Sequence, residues 1–305
     1  MLSTQFAPWL VFFSALLWTI DAPFRKYLTE DLSSGTIVLM EHMVIAILVL
    51  GFLHKYLVEL KQLKPVQWLY VLFIGFGGSA LATMAFTQSF RYVNPSVAIL
   101  LQKTQPIIAI LLARLILKET LSRKFWLWSS LAILGAYGLS FPNLIPQLYP
   151  GETFNPNFQG LLLALLAAFL WAGSTVFGRK LLNQISFQAM TGIRFFTALI
   201  LLFSLQLYWQ NFSELTQAST QDWLFIFLIA SIAGFLSLFL YYKGLQHTKA
   251  SIATLCELAF PFSAVIINWI FIPNSHLTLT QIVAGLVLLS AIGALSYENA
   301  KLSAG

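Results

Sequence analysis

The sequence carries the same hydrophobic pattern twice, and each copy holds five apolar stretches. Residues of the first copy recur 153 residues later (Trp18, Phe24 and Ser33 as Trp171, Phe177 and Ser186) or 155 residues later (Trp68, Ser96, Pro106 and Gly138 as Trp223, Ser251, Pro261 and Gly293). Because five is odd, the second copy must lie upside down in a bilayer relative to the first. Inverted repeats are typical of alternating-access transporters, with a substrate site near the membrane midplane between the repeats.

The composition places the chain in a membrane. Of its 305 residues 58% are hydrophobic and 9% charged, whereas soluble domains have about 25% charged residues. The net charge of +6 does not indicate a nucleic-acid partner, because the basic residues are spread over short loops. Cys256 is the only cysteine, which excludes internal disulfides and cysteine-based metal sites. No Lys or Arg precedes the first apolar stretch, so no cleavable signal peptide is expected. We expect no metal and no cofactor.

The apolar stretches predict an all-α polytopic membrane protein with ten transmembrane helices in two inverted five-helix repeats. Each stretch has about the 20 residues that a helix needs to cross the hydrocarbon, and helices satisfy their own backbone groups in lipid. We expect the first repeat at 1–141, an extracytoplasmic linker at 142–157 and the second repeat at 158–305. The predicted spans are 7–27, 33–53, 66–90, 95–117, 124–141, 158–178, 186–208, 222–246, 250–272 and 279–297.

Basic residues in the loops predict the orientation, since Lys and Arg accumulate on the cytoplasmic side. With both termini inside, the outer loops hold three basic residues: Arg25, Lys26 and Arg91. The inner loops and tail hold ten: Lys55, Lys61, Lys64, Lys118, Arg123, Lys124, Arg179, Lys180, Lys249 and Lys301. The sequence therefore predicts both termini in the cytoplasm.

Seven ionisable residues are candidates for a position at membrane depth: Asp21, Glu41, His42, Lys103, Arg194, Lys243 and Glu257. Such residues are costly in lipid and persist where they face protein or water. Glu41 and Arg194 are repeat-equivalent, and each lies ~12 Å from the end of its helix, close to the midplane. Gln102 and Glu257 are a second equivalent pair. Two interpretations remain open: a polar substrate cavity, or structural salt bridges that join Glu41 to Arg194 and Glu257 to Lys103.

The cavity interpretation predicts a set of functional residues. We expect Glu41 and Glu257 as candidates for proton coupling, and Pro106 and Pro261 as hinges that kink their helices. For Lys243 we expect a side chain that reaches the cytoplasmic interface, and for His42 a packing role. The predicted substrate-binding residues are Trp18, Asp21, Glu41, Gln88, Gln102, Lys103, Trp171, Arg194, Tyr241 and Glu257.

Several segments resemble the drug/metabolite transporter superfamily, in particular ten-helix bacterial exporters built from two EamA domains. The segments are LLWTIDAPFRKYL around Trp18, its repeat FLWAGSTVFGRKLL, residues 94–120 with a mid-helix proline and a helix-end Glu119, and residues 249–271. The resemblance covers nearly the whole chain. Two departures stand out: Pro273-Asn274 replaces the Lys118-Glu119 of the first repeat, and Glu41 stands where this family often has arginine.

The resemblance implies a central cavity formed by helices 1–4 and 6–9, with helices 5 and 10 outside it. It implies export or exchange of amino acids, related metabolites or drugs across the cytoplasmic membrane. The balance of acids and bases favours a small zwitterionic or polar metabolite, and the expected partners are that substrate and the lipid bilayer. A multidrug exporter of cationic compounds and a flippase of lipid-linked substrates are the alternatives, and a channel or scaffold is a further rival. No HExxH, GxSxG or phosphate-loop motif indicates an enzyme. Monomer and homodimer are both left open.

Overall fold

The computed structural model describes residues 4–93, 95–141, 143–144, 157–271 and 276–304. All regular elements in this part of the chain are helical, as backbone in lipid requires. The predicted linker 142–157 lies outside the described residues apart from residues 143, 144 and 157. The long helices are α1 (Ala7–Asp31), α2 (Ser34–Lys61), α3 (Pro65–Tyr92), α4 (Pro95–Gln102 followed by Gln105–Ile116), α5 (Arg123–Ser140), α6 (Phe158–Leu181), α7 (Phe187–Trp209), α8 (Thr220–Leu245), α9 (Ala250–Cys256 followed by Ala259–Phe271) and α10 (Leu279–Ala304).

Nine helices in the described ranges are long and apolar enough to cross a membrane, namely α1 to α4 and α6 to α10. Helix α5 has 18 residues and begins with Arg123 and Lys124, and it is not among the nine. The predicted all-helical, two-repeat fold is confirmed, while the count of ten spans stays a prediction.

The main helix contacts join one repeat to the other. Helix α5 packs on α10, α2 on α7 and α4 on α9, while α1 packs on α8 and α3 on α6. The contact of α5 with α10 depends on small residues, as close helix packing in membranes does. A Cβ atom added to Gly135 would lie 2.9 Å from the carbonyl oxygen of Ala284 and from the amide nitrogen of Leu288. The repeats are therefore intertwined rather than side by side.

Two repeat-equivalent serines begin α2 and α7. Ser33 and Ser186 each cap a helix N-terminus, because their hydroxyl oxygens accept the backbone N–H three residues ahead. The backbone N–H of Ser33 donates to Glu214 at 2.9 Å, and that of Ser186 donates to Glu59 at 2.6 Å. Glu59 and Glu214 are 155 residues apart, so each repeat holds the start of a helix of the other repeat.

Both ends of the described chain lie on one face of the bundle. The side-chain amide of Asn299 donates to the carbonyl oxygens of Thr4 and His247, at 3.1 and 2.9 Å. On the same face, Glu119 accepts the backbone N–H groups of Ala250 and Ser251 at the start of α9. This face corresponds to the one predicted to be cytoplasmic.

Proline interrupts three of the helices. Proline removes a backbone donor and clashes with the carbonyl four residues earlier, and each break falls two to four residues before Pro23, Pro106 or Pro261. The breaks are Thr19–Ile20 in α1, Lys103–Thr104 in α4 and Glu257–Leu258 in α9. The assignment of Arg25 and Lys26 to an outer loop is wrong, since α1 continues past residue 27 to Asp31 and includes both residues.

Candidate functional site

A cavity of about 170 Å³ lies where the two repeats meet. Its walls come from α1 to α4 and α6 to α9, whereas α5 and α10 contribute no lining residue, as the resemblance implies. Polar residues line it from both repeats, and the lining set holds three carboxylates and three lysine or arginine side chains. They are Asp21, Glu41, Glu257, Arg25, Lys103 and Arg194.

The helix breaks place charged groups at the cavity. Lys103 stands in the break of α4 and Glu257 in the break of α9, and both line the cavity. The break in α1 directly precedes Asp21, which also lines it. Since broken helices leave backbone groups free and turn side chains away from the regular helical positions, these breaks bring polar groups into one space at membrane depth.

Arg25 holds together the two acids of the first repeat. Its side chain is 2% exposed, and Nε lies 2.7 and 2.9 Å from the two carboxylate oxygens of Asp21. Nη2 donates to Glu41 Oε2 at 2.9 Å, and Nη1 donates to the Thr87 hydroxyl at 3.0 Å. These are the ion pairs that the described residues form. A buried carboxylate needs such a partner, so Arg25 explains how Asp21 and Glu41 are accommodated.

Arg194 of the second repeat is surrounded by neutral groups. Nη1 donates to Tyr242 Oη at 2.7 Å and to Ser174 Oγ at 3.1 Å. Nη2 donates to the carbonyl oxygen of Gly78 at 2.8 Å, and Nε donates to Ser79 Oγ at 3.2 Å. The side chain is 6% exposed, and no acid among the described residues pairs with it.

Glu257 accepts hydrogen bonds from neutral donors. Gln105 Nε2 lies 2.6 Å from one carboxylate oxygen and Tyr241 Oη lies 2.8 Å from the other. Tyr241 Oη is in turn 2.7 Å from Thr175 Oγ1. Lys103 does not pair with Glu257: its ammonium lies 5.0 Å from the centre of the Phe260 ring. Of the two interpretations left open by the sequence, the one with structural salt bridges is wrong for these pairs, because the described residues form neither Glu41–Arg194 nor Lys103–Glu257.

Aromatic side chains form the apolar walls. Trp18 donates its indole N–H to Ser237 at 2.9 Å, and its ring lies 5.7 Å from that of Tyr241. Its repeat equivalent Trp171 lies 5.2 Å from Phe86 in an edge-on contact. Aromatic walls with a few convergent polar groups are typical of sites for organic molecules.

The structure brings most of the predicted residues to this cavity. Gln88 does not line it and donates to Tyr92 at 3.4 Å. Pro261 lies outside the lining, and Lys243 faces the Phe187 ring at 5.9 Å. His42 does line the cavity, with hydrogen bonds to the Val38 carbonyl and to Ser79. The predicted residues that line it are Trp18, Asp21, Glu41, Gln102, Lys103, Trp171, Arg194, Tyr241 and Glu257, together with Pro106.

Sequence reasoning missed Arg25 and the neutral partners of the charged groups. Arg25 was assigned to an outer loop, although it stands four residues after Asp21. That spacing puts two side chains on the same helix face and was the signal for an ion pair. Ser79 and Gln105 gave no signal, because they carry no charge and the equivalent positions of the other repeat hold Gly234 and Phe260, which are not polar.

Comparison with known families gives a match over most of the chain. The model of the EamA-like transporter family matches residues 5–141 and again residues 158–297. A crystal structure superimposes with a TM-score of 0.71 over 97% of this chain and 98% of that one. At 14% identity, that likeness shows the fold alone.

Two bacterial transporters are similar in sequence. The riboflavin transporter ImpX of Fusobacterium nucleatum is 31% identical over 294 residues, which cover 95% of this chain and 97% of that protein. The uncharacterized transporter YwfM of Bacillus subtilis is 30% identical over 193 residues, or 61% of each chain. Taken with the two-repeat helical architecture, these matches establish that the chain belongs to the EamA-like transporter family.

Proposed function

We propose that this protein is a secondary transporter that moves a small aromatic metabolite across the cytoplasmic membrane by alternating access. The observation that carries the proposal is the cavity at the repeat interface, in which two repeat-equivalent tryptophans accompany three acids and three bases. A flat organic molecule can stack on Trp18 and Trp171 while its polar groups meet the charged side chains. We place both termini in the cytoplasm, in agreement with the distribution of basic loop residues.

Riboflavin is the first candidate substrate. The similarity to the riboflavin transporter of Fusobacterium nucleatum extends over almost the full length of both chains. Riboflavin has a flat heteroaromatic ring and carries no net charge at neutral pH, which suits a cavity with equal numbers of acids and bases. Its ring carbonyls and ribityl hydroxyls would meet hydrogen-bonding groups rather than lipid.

Export or exchange of an amino-acid-like zwitterion is the second candidate. It is favoured by the separation of charged groups in the cavity, where Arg194 has no acidic partner among the described residues and Glu257 has no basic one. A zwitterion could place its carboxylate near the first and its ammonium near the second. The proposed cavity is the same for both substrates.

The test is transport in proteoliposomes with labelled riboflavin, an amino-acid panel, a cationic dye and a fluorescent lipid, with a pH gradient of either sign or none. We expect saturable riboflavin transport that excess unlabelled riboflavin inhibits. If only amino acids are transported, the substrate is the second candidate, an amino-acid-like zwitterion, and not riboflavin. Movement of only the dye or only the lipid would contradict the proposal and favour a multidrug exporter or a flippase.

Matched tryptophan variants test whether the substrate passes through the cavity. Trp18→Ala and Trp171→Ala remove cavity walls and should raise KM by about tenfold, as loss of one aromatic contact of about 1.4 kcal/mol predicts. Trp126→Ala is the control, because Trp126 is 45% exposed on α5 and lies outside the cavity. Equal effects of all three substitutions would show that the substrate does not pass the two cavity tryptophans.

A further inference from the structure

Each repeat holds one buried arginine, and the two arginines contact residues at equivalent positions of their repeats. The two arginines themselves come from helices that are not equivalent. Arg25 on α1 contacts Asp21 and Thr87. Arg194 on α7 contacts Ser174 and Tyr242. The offsets of 153 and 155 residues make Ser174 the equivalent of Asp21 and Tyr242 the equivalent of Thr87. Each guanidinium thus bridges the same two positions of its own repeat.

The arginine has therefore moved from one position of the repeat to another, and this exchange involves two positions in each repeat. The equivalent of Arg25 is Gly178, and the equivalent of Arg194 is Glu41. A Cβ atom at Gly178 would lie 3.2 Å from Cε1 of Tyr242, so the tyrosine ring occupies the space beside it. In the second repeat the arginine therefore comes from α7, and the corresponding position of the first repeat is free to hold Glu41.

This exchange changes the charge of the two arginine sites. In the first repeat Arg25 meets two carboxylates, so the site carries one net negative charge. In the second repeat the partners of Arg194 are two serines, a tyrosine and a backbone carbonyl, so the site carries one net positive charge. A buried guanidinium without an acid is costly, which makes its charge available to a ligand.

The hydrogen bonds of Arg194 leave room for one more acceptor. Its guanidinium has five N–H donors, and four of them are used by described residues. Lys103 lines the same cavity, and its ammonium has an aromatic contact but neither an ion pair nor a hydrogen bond with the described residues. Two cations thus face one space with spare capacity for an oxygen acceptor.

We propose that Arg194, supported by Lys103, is the subsite that binds an oxygen acceptor of the substrate, either a carboxylate or the carbonyl edge of a heterocycle. Arg25 has a different role: it neutralises the acids of the first repeat. The substrate is consequently oriented in the cavity, with its acceptor end toward the second repeat. The orientation of the substrate rests on the proposed transport function, whereas anion binding by Arg194 is testable without any substrate.

Bromide is the first probe, because it is a small anion that anomalous diffraction locates. Crystals of the wild type soaked in bromide should show an anomalous peak in contact with Arg194. Ser174→Asp recreates in the second repeat the acid that Asp21 provides in the first, and should abolish the peak. Ser174→Asn introduces a side chain of the same size as aspartate but without its charge, and this variant should keep the peak. Absence of the peak in the wild type, or equal peaks in the three proteins, would overturn the proposal.

A second variant pair covers the case in which residue 174 does not tolerate a larger side chain, since Gly78 packs closely against Ser174. Arg194→Lys keeps the charge and should keep the peak, whereas Arg194→Gln should lose it. All variants are compared as folded, monodisperse protein with a measured melting temperature. A peak that persists at this position in Arg194→Gln would contradict the role of Arg194.

Ligand binding distinguishes the two possible acceptors, the carboxylate of an amino acid and the carbonyl edge of a heterocycle. Binding of riboflavin and of phenylalanine to purified protein is measured for the wild type and for the two Ser174 variants. We expect Ser174→Asp to weaken the ligand that binds the wild type by about tenfold or more, as loss of a hydrogen bond to a charged group predicts, and Ser174→Asn to change it less than threefold. An unchanged affinity in Ser174→Asp would overturn the orientation. If neither compound binds the wild type, the proposed substrates are wrong and the bromide result still decides the subsite.

Discussion

Arg25 donates from Nη2 to Glu41 Oε2 at 2.9 Å, and this contact joins the first two helices inside the membrane-spanning bundle. Arg25 also contacts both carboxylate oxygens of Asp21. Two acids that sequence reasoning assigned to substrate or proton binding therefore share one buried arginine. The roles of the charged residues can now be tested separately.

Removal of Arg25 should destabilise the fold. Arg25→Met would leave the buried carboxylate of Glu41 and the partly buried carboxylate of Asp21 without a cation, and losing one partner of a buried ion pair costs about 3–5 kcal/mol. We expect a large drop in melting temperature in detergent. Lys26→Met is the matched control, because Lys26 is the exposed neighbour and should change little. Equal melting temperatures of the two variants would contradict the structural role of Arg25.

Coupling to a pH gradient should depend on Glu257 rather than on Glu41. Glu257 contacts the neutral donors Gln105 and Tyr241, so it can exchange a proton without breaking an ion pair, whereas Glu41 is held by Arg25. We expect Glu257→Gln to abolish the gradient-dependent part of transport in proteoliposomes while substrate exchange continues. In Glu41→Gln the dependence should persist and the melting temperature should fall. The reverse assignment follows if only Glu41→Gln loses the gradient dependence.

Acid should weaken the outer contact between the repeats. Burial acts to raise the pKa of Glu214, but hydrogen bonds from Ser33, Thr36 and Asn211 outweigh it and hold the pKa below its usual range. A carboxyl with a lowered pKa in the folded state stabilises the fold above its usual pKa, and this contribution is lost as the pH falls through the lowered value. We expect Glu214→Gln to lower the melting temperature at pH 7 and to reduce its decline toward acid pH.

Glu30→Gln is the control for that pH series, since Glu30 is an exposed acid near the end of α1. Its pH dependence should follow the wild type. If Glu214→Gln and the wild type lose the same amount of stability on acidification, the contact of Glu214 with Ser33 does not contribute to the acid sensitivity.

The packing of α5 on α10 should not tolerate a methyl group at Gly135. The added Cβ would lie 2.9 Å from backbone atoms of α10, and such overpacking costs about 1–3 kcal/mol. Gly51→Ala is the matched control, because a Cβ at that position would have no described atom within 4 Å apart from its chain neighbours and the backbone of its own helix. There the substitution should be neutral or stabilise the helix by about 1 kcal/mol. Thermal unfolding of both variants compares the two positions. A Gly135→Ala protein as stable as the wild type would show that the two helices can move apart without loss of stability.

The sequence by itself determined the helices, the two repeats and most of the charged residues that meet in the cavity. Long apolar stretches must be helical in lipid, and the recurrence of Trp18 as Trp171 and of Pro106 as Pro261 places equivalent positions at mirrored depths on the two sides of the midplane. An ionisable residue within a span must face protein. These rules were sufficient to predict that Lys103, Arg194 and Glu257 line a common space.

Only the tertiary structure decided which of these groups touch. Depth along a helix follows from residue number, but the partner of a side chain depends on how neighbouring helices are rotated and where they break. A salt bridge between Arg194 and Glu41 was one open interpretation because both lie near the midplane, and instead Arg194 contacts Ser174 and Tyr242. Arg25 was counted with the basic residues of an outer loop. Helix α1 continues to Asp31, and one face of its polar second half, with Arg25, Leu28 and Thr29, is buried against other helices. Only that packing makes Arg25 a buried partner of two acids.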